Sequence, residues 1–165
     1  MKILVTGGTG YIGSHTVVEL INKGYTPVIA DNFSNSRKEV LTAIEKITGQ
    51  KVIFIEVDIC DKQVVRKIFS DHKIEATIHF AAFKAVGESV EQPLKYYRNN
   101  LISLINLLEI YNELKLDNFV FSSSCSVYGQ TEVLPVTETT PLSKAESPYG
   151  NTKQIGEEIM AETLK

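Results

Sequence analysis

Ile3-Leu4-Val5-Thr6-Gly7-Gly8-Thr9-Gly10-Tyr11-Ile12-Gly13 is the stretch that decides the fold. Ile3 to Thr6 reads as a short buried strand, and the glycines that follow end it. Tyr11 to Lys23 then places Ile12, Val17, Leu20 and Ile21 near helical spacing, with Gly24 closing the helix. Gly8, Gly10 and Gly13 satisfy GxGxxG; Gly7, Gly10 and Gly13 satisfy GxxGxxG. Between a strand and a helix, such glycines permit a tight turn, close approach of a pyrophosphate and close packing of helix on strand. The free N–H groups and the dipole at the helix start favour phosphate charge. A glycine run alone is weak evidence; the strand before and the helix after supply the context the motif requires.

The same alternation continues outward. Val28 to Ala30, Val52 to Val57, Ala76 to Ala82 and Asn118 to Ser122 read as strands. Lys38 to Ile47, stopped at Gly49, then Lys62 to Phe69, Leu94 to Leu114 and Pro148 to Leu164 read as helices. Thr131 to Ser147 reads as an ordered surface loop, and no repeat, low-complexity tract or linker interrupts the chain. Strands alternating with helices imply βαβ units, hence an α/β Rossmann-type parallel sheet with helices on both faces. Its expected strand order is 3-2-1-4-5, and residues 1–165 are expected to form one dinucleotide-binding domain. The helix over 94–114 is apolar nearly all round its middle (Leu101, Ile102, Leu104, Ile105, Leu107, Leu108), so it needs two buried faces. One is expected on the sheet. The other is expected against a second subunit, in a homodimer through helices 94–114 and 148–164; the alternative is cover by further parts of the same chain.

Asp31 ends the second strand, eighteen residues after Gly13. A carboxylate at this spacing accepts hydrogen bonds from the adenosine ribose hydroxyls and repels the extra phosphate of NADP, so the expected cofactor is NAD. No arginine lies beside it until Arg37. Asp58, after the third strand, sits where this fold holds adenine; capping the helix over 61–71 is the competing role.

Composition narrows the function classes. The chain has 165 residues and a net charge of -3, which offers no basic footprint for nucleic acid. Two distant cysteines, Cys60 and Cys125, make neither a disulfide framework nor a metal knuckle and suit a reducing, cytoplasmic compartment. His15, His72 and His79 show no metal spacing, so no metal is expected. The N-terminal apolar run is too short for a signal core, and no run approaches the roughly 20 residues of a membrane helix.

Chemistry enters near the C-terminus. Tyr149-Gly150-Asn151-Thr152-Lys153 places Tyr149 and Lys153 on one face of the expected last helix. A free tyrosine, with a pKa of about 10, is a poor base at neutral pH. A nearby ammonium and a positive nicotinamide ring favour phenolate, which could take a hydroxyl proton as hydride leaves the same carbon. The fifth strand ends in Ser122-Ser123-Ser124-Cys125-Ser126-Val127-Tyr128-Gly129, and strand C-termini are where ligands bind in open α/β sheets. From spacing alone any of the four serines could bond a reacting oxygen.

Together these features resemble the extended short-chain dehydrogenase/reductase superfamily and, within it, the UDP-glucose 4-epimerase family. Gly13-Ser14-His15-Thr16-Val17-Val18-Glu19-Leu20, His79 through Ser89, Pro93-Leu94 through Tyr97, Asn99 and Asn100, and Phe121-Ser122-Ser123-Ser124 carry the closer likeness over essentially the whole chain. The resemblance implies a cycle. Tyr149 takes the proton of the sugar 4-hydroxyl, the C4 hydride passes to tightly held NAD, the 4-keto sugar rotates, and the hydride returns to its other face. Lys153 would bind the nicotinamide ribose, and Ser124 the substrate oxygen. The implied NAD site comprises Gly7, Gly10, Tyr11, Ile12, Gly13, Asp31, Asn32, Asn35, Ser36, Asp58, Ile59, Ala81, Lys84, Asn99 and Ser122, with Tyr149 and Lys153.

Related dehydratases carry Thr-Asp-Glu where this chain has Ser124, Cys125 and Ser126, and related decarboxylases keep a glutamate in place of Ser126. Neither carboxylate is present, so elimination has no evident catalyst here. Members of the family run to about twice this length. The expectation is therefore a fragment whose last Rossmann strands and substrate domain lie elsewhere. An NAD-binding sensor without turnover and a UDP-glucuronate 4-epimerase are the alternatives. The Tyr149–Lys153 pair argues against the first, the Lys84 segment against the second.

Overall fold

The computed structural model describes residues 1–132 and 134–164; Val133, inside the expected loop, and Lys165 lie outside them. The chain divides into two compact units, Met1–Ala81 with Glu109–Ser122, and Ala82–Leu108 with Ser123–Lys165.

The first unit holds the whole sheet. Five strands, β1 (Lys2–Thr6), β2 (Thr26–Asp31), β3 (Ile53–Glu56), β4 (Ala76–His79) and β5 (Asn118–Phe121), lie parallel in the order β3-β2-β1-β4-β5. That is the order expected of a Rossmann sheet. Side chains alternate across the strands, so Ile3, Val5, Ile29 and Ala76 meet Val17 and Ile21 of α1 (Tyr11–Asn22) and Ile44 of α2 (Glu39–Thr48) in one core. On the opposite face, Phe69 of α3 (Lys62–His72) and Phe119 of β5 each meet Tyr111 edge-on, at ring centroid distances of 5.8 and 4.9 Å. Both faces are therefore covered within this unit. Gly49 ends α2 with φ +69°, as a helix stop glycine should.

Several expected boundaries move by one to three residues. The fourth strand stops at His79, not Ala82, because the Ala81 N–H turns to the Thr6 hydroxyl at 3.3 Å and leaves the ladder. Helix α3 is capped by Asp61, whose carboxylate accepts from Gln63 N and Val64 N, so Asp58 is not the cap.

The second unit contains α4 (Val86–Glu91), residues 93–108 of α5 (Pro93–Leu114), a 3-10 turn (Cys125–Tyr128) and α6 (Pro148–Thr163). The periodicity reading does not find α4. It is six residues long, includes Gly87, and is tied down by tertiary contacts: Glu88 accepts from Tyr96 Oη and Lys95 Nζ, both at 2.6 Å. Between Tyr128 and Pro148 no helix or strand forms among the described residues, as the loop reading expects. No helix among the described residues is long and apolar enough to cross a membrane.

Candidate functional site

The first unit builds the glycine cradle. Gly7 leaves β1 with φ +68°, a conformation that costs other residues, and a Cβ there would stand 2.8 Å from Ala81 N. A Cβ on Gly13 would stand 2.2 Å from the Gly7 carbonyl oxygen, so only glycine lets α1 start this close to the turn. Gly10 is the N-cap of α1 and offers no side chain, and no acidic residue occupies the first turn. Tyr11 and Ile12 are exposed there, at 82% and 60%. The first N–H groups of α1 thus meet no capping side chain and no competing negative charge, which fits a pyrophosphate.

Asp31 closes β2, and both its oxygens already accept. Thr9 N donates to one at 3.1 Å, while Phe33 N at 2.9 Å and the Ser36 hydroxyl at 3.4 Å reach the other. Thr9 and Ser36 are themselves linked at 2.6 Å between hydroxyls. A carboxylate has about four acceptor sites, so capacity remains for ribose hydroxyls. Thr9, buried between the glycines, is the residue the sequence reading missed; it ties the cradle to Asp31. Asn32 and Asn35 are exposed on the same loop, and Asn32 Oδ1 accepts from Ser34 N at 3.0 Å. Asp58 is exposed and holds Cys60 N at 2.9 Å, whereas Ile59 is buried. Ala81 and Ser122 are half-buried at the C-terminal ends of β4 and β5.

The second unit holds the residues that the sequence marks as candidates for the chemistry. Ser147 caps α6, accepting from Gly150 N at 3.1 Å, and Pro148 occupies the first position, so the helix begins immediately before Tyr149. Tyr149 is half-buried, whereas Lys153, one turn on, is 4% exposed. Burial draws the Lys153 ammonium down to about 8. Lys84 is exposed beside Phe83, whose N–H donates to Asn100 Oδ1 at 2.9 Å and whose carbonyl accepts from Asn100 Nδ2 at 3.0 Å. Asn100 also donates to Thr152 Oγ1 at 3.1 Å and accepts from Asn99 Nδ2 at 3.0 Å. One buried amide therefore orders the Lys84 segment, Asn99 and the residue next to Lys153. Asn100 stands in the resembling stretch, but its role is not readable from sequence.

The four serines separate by their partners. Ser123 donates to Glu157 Oε1, and Ser126 donates from both its N–H (3.2 Å) and its hydroxyl (2.9 Å) to Ser124 Oγ. Ser122 N donates to the His79 carbonyl at 3.2 Å. The Ser124 proton finds no acceptor among the described residues, so Ser124 has a hydrogen bond left to give. Gln154 pins the neighbouring loops to α6, donating to Val127 O at 2.7 Å and Ser143 O at 2.5 Å and accepting from Ala145 N at 3.3 Å. No group of histidine, cysteine and acidic side chains suited to a metal occurs among the described residues.

Residues 4–164 match the family described as GDP-mannose 4,6 dehydratase. The chain belongs to that family. Within it, this chain is 52% identical over 160 residues to UDP-glucose 4-epimerase of Bacillus subtilis, covering 97% of this chain and 47% of the relative. To the enzyme of the same name from Drosophila melanogaster it is 48% identical, covering 99% of this chain and 48% of the relative. The chain thus spans about half the length of the curated relatives it matches. The crystal structure of UDP-glucose 4-epimerase from Bifidobacterium longum, in complex with NAD+ and UDP, superposes with a TM-score of 0.95 at 42% identity, over 98% of this chain and 48% of that one. The UDP-Glc/GlcNAc 4-epimerase of Campylobacter jejuni gives 0.91 at 36% identity, with 98% and 48% coverage.

Proposed function

We propose that this protein serves the interconversion of UDP-glucose and UDP-galactose, with NAD as a tightly held cofactor. The observation that carries the reading is the array in the second unit: Tyr149 in the first turn of α6, buried Lys153 one turn on, and Ser124 with its proton uncommitted. Identity near one half to UDP-glucose 4-epimerases along the whole chain supports the same reaction.

The cradle residues fit NAD. Gly7, Gly10, Tyr11, Ile12 and Gly13 would take the pyrophosphate, and Asp31 with Asn32, Asn35 and Ser36 the adenosine ribose. Asp58, Ile59, Ala81, Lys84, Asn99 and Ser122 would line the rest, and Lys153 would hold the nicotinamide ribose. The cofactor supplies a hydride acceptor that later returns the hydride. Tyr149 accepts the proton of the sugar 4-hydroxyl and gives it back when the 4-keto sugar is reduced. Ser124 bonds the sugar oxygen throughout. No carboxylate occupies 124–126, where dehydration would need one, so this member of the family is read as an epimerase.

Two further readings accompany this one. A homodimer through helices 94–114 and 148–164 is supported by Ile102 and Ile105, which remain 38% and 39% exposed on α5. A cytoplasmic location is the compartment that the thiols of Cys60 and Cys125 suit. The deciding experiment gives the full-length gene product NAD and UDP-galactose and measures UDP-glucose, with Tyr149→Phe as control. Turnover lost in the variant is expected; a full-length protein that binds NAD yet converts no UDP-galactose refutes the reading.

A further inference from the structure

We propose that Ser126 is a positioning residue that fixes Ser124 as a hydrogen-bond donor, so that the sugar proton goes directly to Tyr149 and is not relayed through the serine. This rests on the epimerase reading. A hydroxyl has one proton and two lone pairs. Ser124 Oγ accepts from Ser126 N at 3.2 Å and from Ser126 Oγ at 2.9 Å, so both lone pairs are engaged. Its own proton has no acceptor among the described residues. Ser124 sits at the N-cap of the 3-10 turn with extended backbone, φ -154° and ψ 148°, which brings the Ser126 N–H round to its side chain. Ser126 is fixed in turn, because Gly150 of α6 lies against its carbonyl oxygen: a Cβ at position 150 would stand 3.2 Å from that atom. Cys125 between them is exposed.

The polarity matters for the chemistry. In a relay, Ser124 must accept the sugar O–H proton while passing its own proton to Tyr149, and the incoming proton needs a free lone pair. Ser126 removes both. In direct transfer, Tyr149 takes the O4 proton, the C4 hydride leaves with its electron pair to the nicotinamide ring, and the C4–O bond becomes a carbonyl. Ser124 then only donates to O4. That single role suits every stage, since the alcohol and the carbonyl oxygen both accept. On return the hydride comes back to C4 and Tyr149 restores the proton, so charge and electrons balance over the cycle.

The test uses the full-length holoenzyme and UDP-galactose. Ser126→Ala should lower kcat about tenfold with KM within about twofold, and Ser126→Thr, which keeps the hydroxyl, should recover it. The double variant Ser124→Ala/Ser126→Ala should be no slower than Ser124→Ala, because Ser126 acts only through Ser124. The rate of substrate-driven reduction of the bound nicotinamide in H2O/D2O mixtures should fall linearly with deuterium content, as one moving proton requires. A binding measurement stands beside these. In Tyr149→Phe holoenzyme, UDP-4-deoxy-4-fluorogalactose, which accepts at C4, should bind more tightly than the 4-deoxy analogue, and the preference should vanish in Ser124→Ala. A curved proton inventory, a fully active Ser126→Ala, or additive losses in the double variant would overturn the proposal while leaving the epimerase reading intact. Absence of turnover in the wild-type holoenzyme would overturn both.

Discussion

Replacing Lys153 by methionine should favour the unliganded folded chain more at neutral pH than at alkaline pH. Lys153 is 4% exposed, and burial draws its ammonium from the ordinary 10.5 down to about 8. One unit of pKa is worth ~1.4 kcal/mol, so carrying the charge into the folded chain costs about 3 kcal/mol. Between these two values the unfolded chain holds the proton and the folded chain has released it. The unfolded state then binds more protons, and stability rises with pH. The penalty is therefore complete below pH 8, shrinks through the window, and is gone above 10.5. Methionine keeps most of the aliphatic stem and cannot ionise. Urea unfolding of wild type and Lys153→Met at half-unit steps from pH 7 to pH 10.5 isolates the effect, because every other titrating group is common to both chains. The stability advantage of the variant should fall by about 3 kcal/mol across that range. A hydrogen bond lost with the ammonium lowers the whole curve but leaves the sign of its slope. An advantage that stays flat, or grows with pH, would show that burial does not oppose the Lys153 charge.

Other perturbations test the frame around the site. Asn100→Leu strands the Phe83 N–H and carbonyl and takes one donor from the Thr152 hydroxyl, which still donates to the Tyr149 carbonyl, and should cost about 2–4 kcal/mol in equilibrium denaturation. Ser147→Ala removes the α6 cap and should cost about 1 kcal/mol by the same assay, with Ser147→Asp close to wild type. Gly13→Ala drives a methyl against the Gly7 carbonyl; the strain, about 1–3 kcal/mol, should weaken NAD binding by roughly tenfold or more in a fluorescence titration.

The sheet was legible because its strands are local apolar runs, and the first two are followed by helices that stop at Gly24 and Gly49. Gly49 ends α2 in the left-handed conformation that the sequence suggests, and the order β3-β2-β1-β4-β5 follows from the Rossmann pattern. What escaped was tertiary. The fourth strand runs three residues short of expectation because the Thr6 hydroxyl captures the Ala81 N–H, a partner seventy-five residues away. Helix α4 exists through Glu88 binding Tyr96 and Lys95, not through any period of its own. Asn100 looks like any polar residue on a helix, yet its amide joins Phe83, Asn99 and Thr152. Four serines in five positions are indistinguishable by spacing, since the direction in which a hydroxyl donates depends on what faces it.

Family membership alone leaves the reaction open, because the matching family is described by a dehydration and the relatives by an epimerisation. Elimination of water needs an acid and a base near the sugar in addition to hydride transfer. In this chain the positions that would carry them are Cys125, which is exposed, and Ser126, whose hydroxyl is spent on Ser124. Glu157 is joined to the same segment by a side-chain contact, and its Oε1 already accepts the Ser123 proton. A carboxylate anchoring the loop in this way serves as scaffold. The three hydroxyls of Ser123, Ser124 and Ser126 therefore form a graded set: one anchors to α6, one orients its neighbour, and one is left with a proton to offer. With NAD bound, a tyrosine, a buried lysine and a donor serine would suffice for reversible transfer of a proton and a hydride. Positions 124–126 offer no second acid to expel a hydroxyl, which is why inversion at one carbon, and not elimination, is the reaction we propose.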